Sequence, residues 1–389
     1  MNGKNVCMVV YSYYLRDPRV RREAEALVKN GYNVTVICLR MPDEKREEVV
    51  NGVRVVRLPM QTAREGKKLR YIYQYSMFFL LAFFALSVFH LRYRFAVVHT
   101  HSLPDFIVFT GIIPKIMGAK LILDLHEAMP EIYLSKMGAK PGSFFHKIFL
   151  FIEQVSSNFA DAVITVSEYI KKIFVERGMD ERKITVIWNT PDIEEFVEPL
   201  WKANRKIVFA GNMTEYFDFD ALLDAVKKLD GVELHIYGDG IKMPYVKKKA
   251  EDLGILDRTI FHGYIPHKKL IEELPEFSIG IVPPKNTIFT KLGLGNKSIE
   301  YTLCGLPVVA AELPGIRSVF DENCFYFYRP GNANSLAYEI SSVLSNPVNA
   351  IEKVKRAQAR VKDKKMLWKD VQATLLDLYA NLMANKAGI

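Results

Sequence analysis

The apolar residues of this chain occur mainly in short continuous runs, separated by stretches in which apolar positions repeat every third or fourth residue. Runs of Val, Ile and Leu without a polar face are typical of parallel strands covered on both sides, and the intervening stretches are typical of helices. In the first half the runs predict strands at Val6–Tyr11, Val34–Leu39, Val53–Leu58, Ala96–Thr100, Leu121–Leu125, Ala162–Val166 and Ile184–Ile187. We therefore expect an α/β domain built on a doubly wound parallel sheet.

The pattern begins again in the second half of the chain. It predicts strands at Ile207–Ala210, Glu233–Tyr237, Thr259–His262, Ser278–Val282, Pro307–Ala311 and Phe325–Tyr328. The stretch between the halves, 189–206, contains two prolines and several acids, as linkers do. Because 389 residues are also too many for one ordinary core, we expect two Rossmann-like domains, 1–195 and 196–364, with a mostly helical tail.

One stretch, Tyr71–Leu91, is apolar and long enough to cross a membrane, and Arg70 and Arg92 flank it. The strands predicted before and after it belong to one parallel sheet, and a single crossing would put them on opposite sides of the bilayer. We interpret it as a core or in-plane helix whose aromatic and leucine-rich face can rest on lipid.

Composition and charge narrow the functional classes. The net charge of +9 indicates an anionic partner such as nucleotide phosphates or an acidic leaflet. The four cysteines form no C-x-x-C pair, which is typical of the reducing cytosol rather than of a disulfide framework or zinc site, and no signal peptide is visible. The basic residues are scattered and no recognised module is present, so nucleic-acid binding is disfavoured.

The most informative block is 291–312. Its polar part, centred on Asn296, Lys297, Ser298 and Glu300, precedes a glycine turn and an apolar run, which predicts a short helix followed by a buried strand. Asn296 or Ser298 can cap this helix, and Glu300 then falls in its first turn. A solvated Lys/Glu pair is the alternative interpretation of these residues alone.

A second block, 121–131, contains a buried strand that runs into Asp124-Leu125-His126-Glu127. Polar residues at the carboxyl end of a strand in an α/β sheet are often functional. A histidine here can equally be a hydrogen-bonded structural group.

Together these blocks resemble the motifs of GT-B fold glycosyltransferases of family 4, in which the first reads approximately nK-x-x-EY-x-x-x-G-x-PVV and the second D-x-H-E. The resemblance covers nearly the whole chain in order. It implies two Rossmann-like domains facing each other across a cleft, with the last helix, about 365–389, packed back on the first. It also implies a retaining transfer of sugar from a UDP- or GDP-linked donor without a metal or other cofactor.

The resemblance also assigns residues. It implies that His126 is at the reaction centre and that Glu300 contacts the ribose. Donor binding is further expected from Lys291, Asn296, Lys297, Ser298, Gly211, Asn212, Gly238 and Gly240.

The chain departs from the family pattern at two places. Many members carry an arginine just after the glycine equivalent to Gly211 and a lysine a few residues later, whereas this chain has Asn212 and Met213. The first of the two family glutamates is replaced by Leu292. We expect lysines 285, 291 and 297 to neutralise the diphosphate instead.

The acceptor side is expected around the first strand-to-helix corner. Asp17 and Pro18 predict a helix start there, and Arg19 lies in its first turn, where the helix dipole disfavours a cation. An anionic ligand and a solvated basic turn are both compatible with this. We assign Arg16, Arg19, His101 and Glu127 to the acceptor side; His99 and His101 share one strand face, but spacing places no third metal ligand.

The expected acceptor is a glycan or a lipid-linked glycan at the cytoplasmic membrane leaflet, and the expected location is cytoplasmic, with peripheral contact to that leaflet. A nucleotide-sugar 2-epimerase of the same fold and a membrane-associated scaffold without catalysis are the alternatives. The sequence does not determine the base, the sugar, the acceptor or the oligomeric state.

Overall fold

The computed structural model describes residues 4–61, 68–137, 140–193, 195–202 and 204–384. It divides into two compact units, one formed by the residues up to Asn189 together with those from Val371 onward, the other by Thr190–Asp370. The sequence-based expectation placed this boundary after residue 195 and the start of the tail at 365.

The first unit contains one sheet with the strand order β3-β4-β2-β1-β5-β6-β7-β8, parallel except for β3. Its elements are β1 (Asn5–Val10), α1 (Pro18–Lys29), β2 (Asn33–Leu39), β3 (Glu47–Val50), β4 (Val53–Leu58), α2 (Lys68–Tyr93), β5 (Val97–His101), α3 (Ile112–Ile116), β6 (Lys120–Leu125), α4 (Met129–Met137), α5 (Phe144–Phe159), β7 (Ala162–Thr165), α6 (Glu168–Glu176) and β8 (Ile184–Val186).

The second unit contains a fully parallel sheet with the order β11-β10-β9-β12-β13-β14. Its elements are β9 (Lys206–Ala210), α7 (Phe219–Lys227), β10 (Glu233–Tyr237), α8 (Met243–Asp252), β11 (Thr259–Gly263), α9 (His267–Glu273), β12 (Ile279–Val282), α10 (Asn296–Leu303), β13 (Val308–Ala311), α11 (Pro314–Arg317), β14 (Tyr326–Tyr328), α12 (Ala333–Ser345) and α13 (Pro347–Asp363). The last helix, α14 (Trp368–Ala384), lies in the first unit from Val371 onward.

The predicted parallel sheets are confirmed by the pairing of the strands. The apolar runs form these strands, and their residues are buried almost throughout. In β1, for example, Val6, Met8 and Val9 have no exposed surface. Asp17 caps α1 by accepting a hydrogen bond from the Val20 amide at 3.3 Å, as the sequence predicts.

Strand β3 was not predicted. It pairs with β4 in antiparallel fashion through a tight turn at Asn51 and Gly52, both of which have positive φ. Every residue of β3 is at least partly exposed, so it has no continuous apolar run, although Asn-Gly is a strong signal for such a hairpin.

Helix α2 includes the apolar stretch Tyr73–Tyr93, which by length and composition could cross a membrane. It connects β4 to β5, and both strands belong to the same sheet. The helix therefore lies along the first unit. In its most apolar window 28% of the residues are buried, and the others are partly or fully exposed.

Candidate active site

Three glycines in the second unit lie where two strands end. Gly211 follows β9, whereas Gly238 and Gly240 follow β10, and their φ values are 147°, 119° and 152°. The two loops are joined by a 2.8 Å hydrogen bond from the Gly211 amide to the Tyr237 carbonyl. A Cβ on Gly238 would overlap the Gly211 carbonyl oxygen, and one on Gly240 would lie 2.5 Å from the Met213 carbonyl oxygen. Only glycine fits this packing of backbone on backbone.

Lys297 reaches these loops from α10. A Cβ on Gly211 would overlap its ammonium group, so the two residues are in direct contact. The Nζ atom lies 4.2 Å from the ring centroid of Phe217 and 5.1 Å from that of Phe209. Burial lowers the pKa of Lys297 to about 8, against the opposing influence of Glu300. A cation in such surroundings gains stability when an anion binds beside it.

The start of α10 is open. Gly295, with φ of 74°, occupies the N-cap position, and no described side chain caps the first turn. The expectation that Asn296 or Ser298 caps the helix is therefore wrong. Ser298 instead donates its hydroxyl to the Leu294 carbonyl at 2.9 Å, and its own amide donates to the Gly295 carbonyl at 3.0 Å. An uncapped helix start presents backbone amides to anions.

Tyr301 fixes α10 to the sheet. Its hydroxyl accepts a hydrogen bond of 2.8 Å from the Ala210 amide, at the last residue of β9. Its ring lies over Gly280 so closely that a Cβ there would overlap it. The lysine and the glycine loops are thus held in place by buried contacts.

Glu300 lies in the second turn of α10, since the helix begins at Asn296; the expectation of a first-turn position is wrong. Its side chain is 13% exposed, and its Oε1 lies 3.1 Å from Nε2 of His267.

Of the other residues predicted for donor binding, one lies at the glycine loops and two are exposed. Asn212 is near Gly240, where a Cβ would be 2.6 Å from its Oδ1. Lys291 and Asn296 are exposed. Leu292, at the position of the missing glutamate, has its carbonyl 2.6 Å from a Cβ placed on Gly315, so the backbone of this loop packs against α11.

In the first unit, His126 lies just after β6 beside a buried aspartate. Its Nε2 contacts Oδ2 of Asp124, which has no exposed surface. The strand register places His101 of β5 directly opposite Asp124, and His101 Nδ1 lies 3.0 Å from the same oxygen. Asp124 Oδ2 therefore accepts a hydrogen bond from His101 and is in direct contact with Nε2 of His126.

His99 and Tyr379 extend this cluster. His99 Nε2 lies 3.6 Å from Asp124 Oδ2, and its Nδ1 lies 2.8 Å from the Tyr379 hydroxyl. Tyr379 belongs to α14, so the end of the chain completes a cluster formed by β5 and β6.

The cluster includes atoms that could hold a metal ion. Glu23, His99, His101 and Asp124 each offer one ligand atom, and these lie within 4.8 Å of one another. Imidazole and carboxylate ligands suit zinc. One nitrogen of His99 and one of His101 are already engaged by Tyr379 and Asp124. The expected absence of a metal remains a prediction.

Burial determines the charges in the cluster. Burial, and then Arg19, lowers the pKa of His126 to about 4, and burial with His99 lowers that of His101 to about 3. Burial opposes the ionisation of Asp124, but the contacts with His126 and His101 hold its pKa well below the usual range. At neutral pH His101 and His126 are therefore uncharged, and Asp124 is ionised.

This arrangement defines what His126 can do. The contact of Nε2 with the Asp124 carboxylate favours the tautomer with the proton on Nε2, which leaves Nδ1 as the acceptor. Both nitrogens are buried, and neither has a hydrogen-bond partner among the described residues. A neutral imidazole oriented in this way can position a hydroxyl group or accept its proton.

Of the four residues predicted for the acceptor side, two lie near His126 and two are exposed. Arg19 lies close enough to His126 for its charge to lower the pKa of the imidazole. The ring centroids of His101 and His126 are 6.0 Å apart. Glu127 is exposed immediately after His126, and Arg16 is exposed at the end of the 3-10 helix Tyr14–Arg16.

Comparison with known proteins identifies the fold and family. Residues 17–190 match the family described as Glycosyl transferase 4-like domain, and residues 204–346 match Glycosyl transferases group 1. The chain belongs to the GT-B glycosyltransferases. Among solved structures, sucrose-phosphate synthase from Thermosynechococcus elongatus superposes with a TM-score of 0.79 at 18% identity, over 98% of this chain and 100% of that one. Anabaena HepE, solved in complex with UDP, gives 0.66 at 15% identity, over 97% and 100%.

This glycosyltransferase also has relatives by sequence. An uncharacterized 41.2 kDa protein in the cps region of Klebsiella pneumoniae is 24% identical over 62% of this chain and 68% of that protein. The 2-deoxystreptamine N-acetyl-D-glucosaminyltransferase of Streptomyces fradiae is 27% identical over 33% of this chain and 31% of that enzyme. The chain is thus aligned with about a third of the Streptomyces enzyme's length.

Proposed function

We propose that this glycosyltransferase moves a sugar from a UDP- or GDP-linked donor to a glycan or lipid-linked acceptor, with retention of configuration and without a metal. The observation that supports this most is the contact between Lys297 and Gly211 at the open start of α10. An ammonium group, free helix amides and a glycine backbone together are suited to a diphosphate.

The donor residues have separate roles in this proposal. Lys297 neutralises the diphosphate, and Glu300 accepts hydrogen bonds from the ribose hydroxyls. UDP is the first nucleotide to test, because Anabaena HepE was solved in complex with it. His126 positions the reacting groups and stabilises charge during transfer, oriented by Asp124.

The proposed location is the cytoplasmic face of a membrane, with peripheral contact through α2. A lipid-linked acceptor would be reached from there. Tyr73, Phe84 and Val88 are among the apolar side chains that α2 exposes.

A donor screen tests the function. Nucleotide-sugars are tested for thermal stabilisation of the protein, and each binder is then tested for release of the nucleoside diphosphate with and without acceptor glycans. Acceptor-dependent release supports the transferase. Release of nucleotide without transfer would favour a 2-epimerase, and no binding by any nucleotide would favour a scaffold. Added chelator should leave turnover unchanged.

We predict that nucleotide affinity falls at alkaline pH because of Lys297. Its pKa of about 8 in the free protein is expected to rise when a diphosphate binds, so binding takes up a proton above pH 8. The Kd for UDP should then rise by about tenfold per pH unit above 8. Calorimetry from pH 7 upward measures this, since the phosphates of UDP are already ionised there.

The controls for this prediction are two lysine variants. Lys297→Met should bind UDP weakly with no such pH dependence, whereas Lys291→Met, which removes an exposed lysine from the loop before α10, should retain the pH dependence. An unchanged pH dependence in Lys297→Met would contradict the assignment.

A further inference from the structure

Helix α2 exposes apolar residues in a regular pattern. Its buried residues recur every fourth position, as at Phe78, Ala82 and Leu86. Leu80, Phe84 and Val88, also four apart, are 49%, 64% and 65% exposed. Because residues four apart share a helix face, the exposed residues form a stripe on the side away from the sheet.

Helix α5 exposes a second set of large apolar residues. Phe144, Phe145 and Phe151 are all more than half exposed. We define the apolar face as Leu80, Phe84 and Val88 of α2 with Phe144, Phe145 and Phe151 of α5. Exposed apolar groups of this size in clusters mark a surface that binds something.

The two helices belong to the same layer. The connections β4 to β5 and β6 to β7 run in the same direction across the sheet, so right-handed crossovers place α2 and α5 on the same side. Both pack on the 3-10 helix Asp105–Gly111 between them. Phe79 of α2 lies 5.9 Å from Phe106, and Phe159 of α5 lies 4.9 Å from Phe109, between ring centroids.

The stretch of the chain that carries the apolar face exposes mainly positive charge. From 68 to 160, where the structure describes the side chains, Glu127 is the only exposed acid, since Asp105, Asp124, Glu131 and Glu153 are buried. The exposed bases of the same stretch are Arg70, Arg92, Arg94, Lys140 and Lys147. An aromatic and aliphatic face fringed by bases is complementary to an anionic lipid surface.

We propose that the apolar face inserts into the interface of an anionic bilayer, with the surrounding bases on the lipid headgroups. This inference rests on the proposed function, because insertion would give the enzyme access to a lipid-linked acceptor. A second copy of the chain is a poorer occupant, because pairing this face with itself would bring the bases of both copies together.

Vesicle co-sedimentation tests the proposal. The protein should bind vesicles of phosphatidylcholine mixed with phosphatidylglycerol, bind phosphatidylcholine alone much more weakly, and lose binding to the mixed vesicles as salt is added. The double variant Phe84→Glu/Val88→Glu should reduce binding to the mixed vesicles by about tenfold or more, since two apolar side chains no longer insert. The double variant Phe144→Glu/Phe151→Glu repeats the test on α5.

The matched control is Tyr338→Glu/Val348→Glu in the second unit. These side chains are 69% and 73% exposed, against 64% and 65% for Phe84 and Val88, so apolar size and added charge are nearly equal. The control should bind vesicles like the unmodified protein. All variants should keep the melting temperature and the stabilisation by UDP, because the changed residues are exposed.

Three results would overturn the proposal. These are no binding of the unmodified protein to the mixed vesicles, equal losses in the test and control variants, and a test variant that changes only the oligomeric mass in light scattering. Vesicle binding without nucleotide binding would instead contradict the proposed function and leave the membrane surface standing.

Discussion

Replacing His126 by Asn should lower turnover by about 10²- to 10⁴-fold while leaving the Kd for nucleotide unchanged. The reason is the division of roles between the units. His126 is oriented by Asp124 in the first unit, whereas the glycine loops and Lys297 that we assign to the diphosphate are in the second. Asparagine keeps an N–H that can face Asp124, so the loss would report on the imidazole.

Steady-state kinetics with the donor found in the screen, together with calorimetry with UDP, measures both quantities. His146→Asn is the control, because it makes the same change on α5 in the same unit, outside the Asp124 cluster, and it should turn over normally. Loss of nucleotide affinity in His126→Asn, or unaltered turnover, would show that its role is misassigned.

Replacing Glu300 by Gln should weaken nucleotide binding by roughly 10- to 150-fold, the effect of removing a charged acceptor from hydrogen bonds with hydroxyl groups. Among the residues that the structure describes, the carboxylate is hydrogen-bonded to the half-exposed His267, so we expect the fold to tolerate the change. Calorimetry with UDP and with 2′-deoxy-UDP measures the effect.

The two nucleotides sharpen this second test. The unmodified protein should prefer UDP, whereas Glu300→Gln should bind both nucleotides equally, since a residue and the hydroxyl it contacts do not contribute additively. Glu276→Gln is the matched control, because that exposed side chain forms an ion pair with Lys202 at 3.3 Å on the surface of the same unit. If Glu300→Gln still discriminates between the nucleotides, another residue contacts the ribose.

Local patterns were enough to predict the sheets but not their exposed edge. The core strands are continuous apolar runs, and Glu233–Tyr237 is predicted to the residue. Strand β3 was missed because its residues are partly exposed and carry no core pattern. The helix start at Gly295 was missed because the polar residues after it are equally good caps, and only the positive φ of Gly295 distinguishes it.

The buried cluster around His126 needed tertiary structure. His99 and His101 share a strand face, which the sequence shows, but their meeting with Asp124 depends on the register of β5 with β6. Tyr379 lies 280 positions from His99 along the chain, and no local pattern indicates their hydrogen bond. The sequence places Glu23 in a predicted helix and Asp124 in the D-x-H-E motif, but it does not indicate that the two side chains meet.

Hydrogen–deuterium exchange with and without saturating UDP or GDP tests most directly whether the second unit holds the nucleotide. We predict slower exchange in the loops 211–213 and 238–242 and at the start of α10, 295–300, with little change around His126. Unchanged exchange in all three segments, or protection confined to the first unit, would contradict the account.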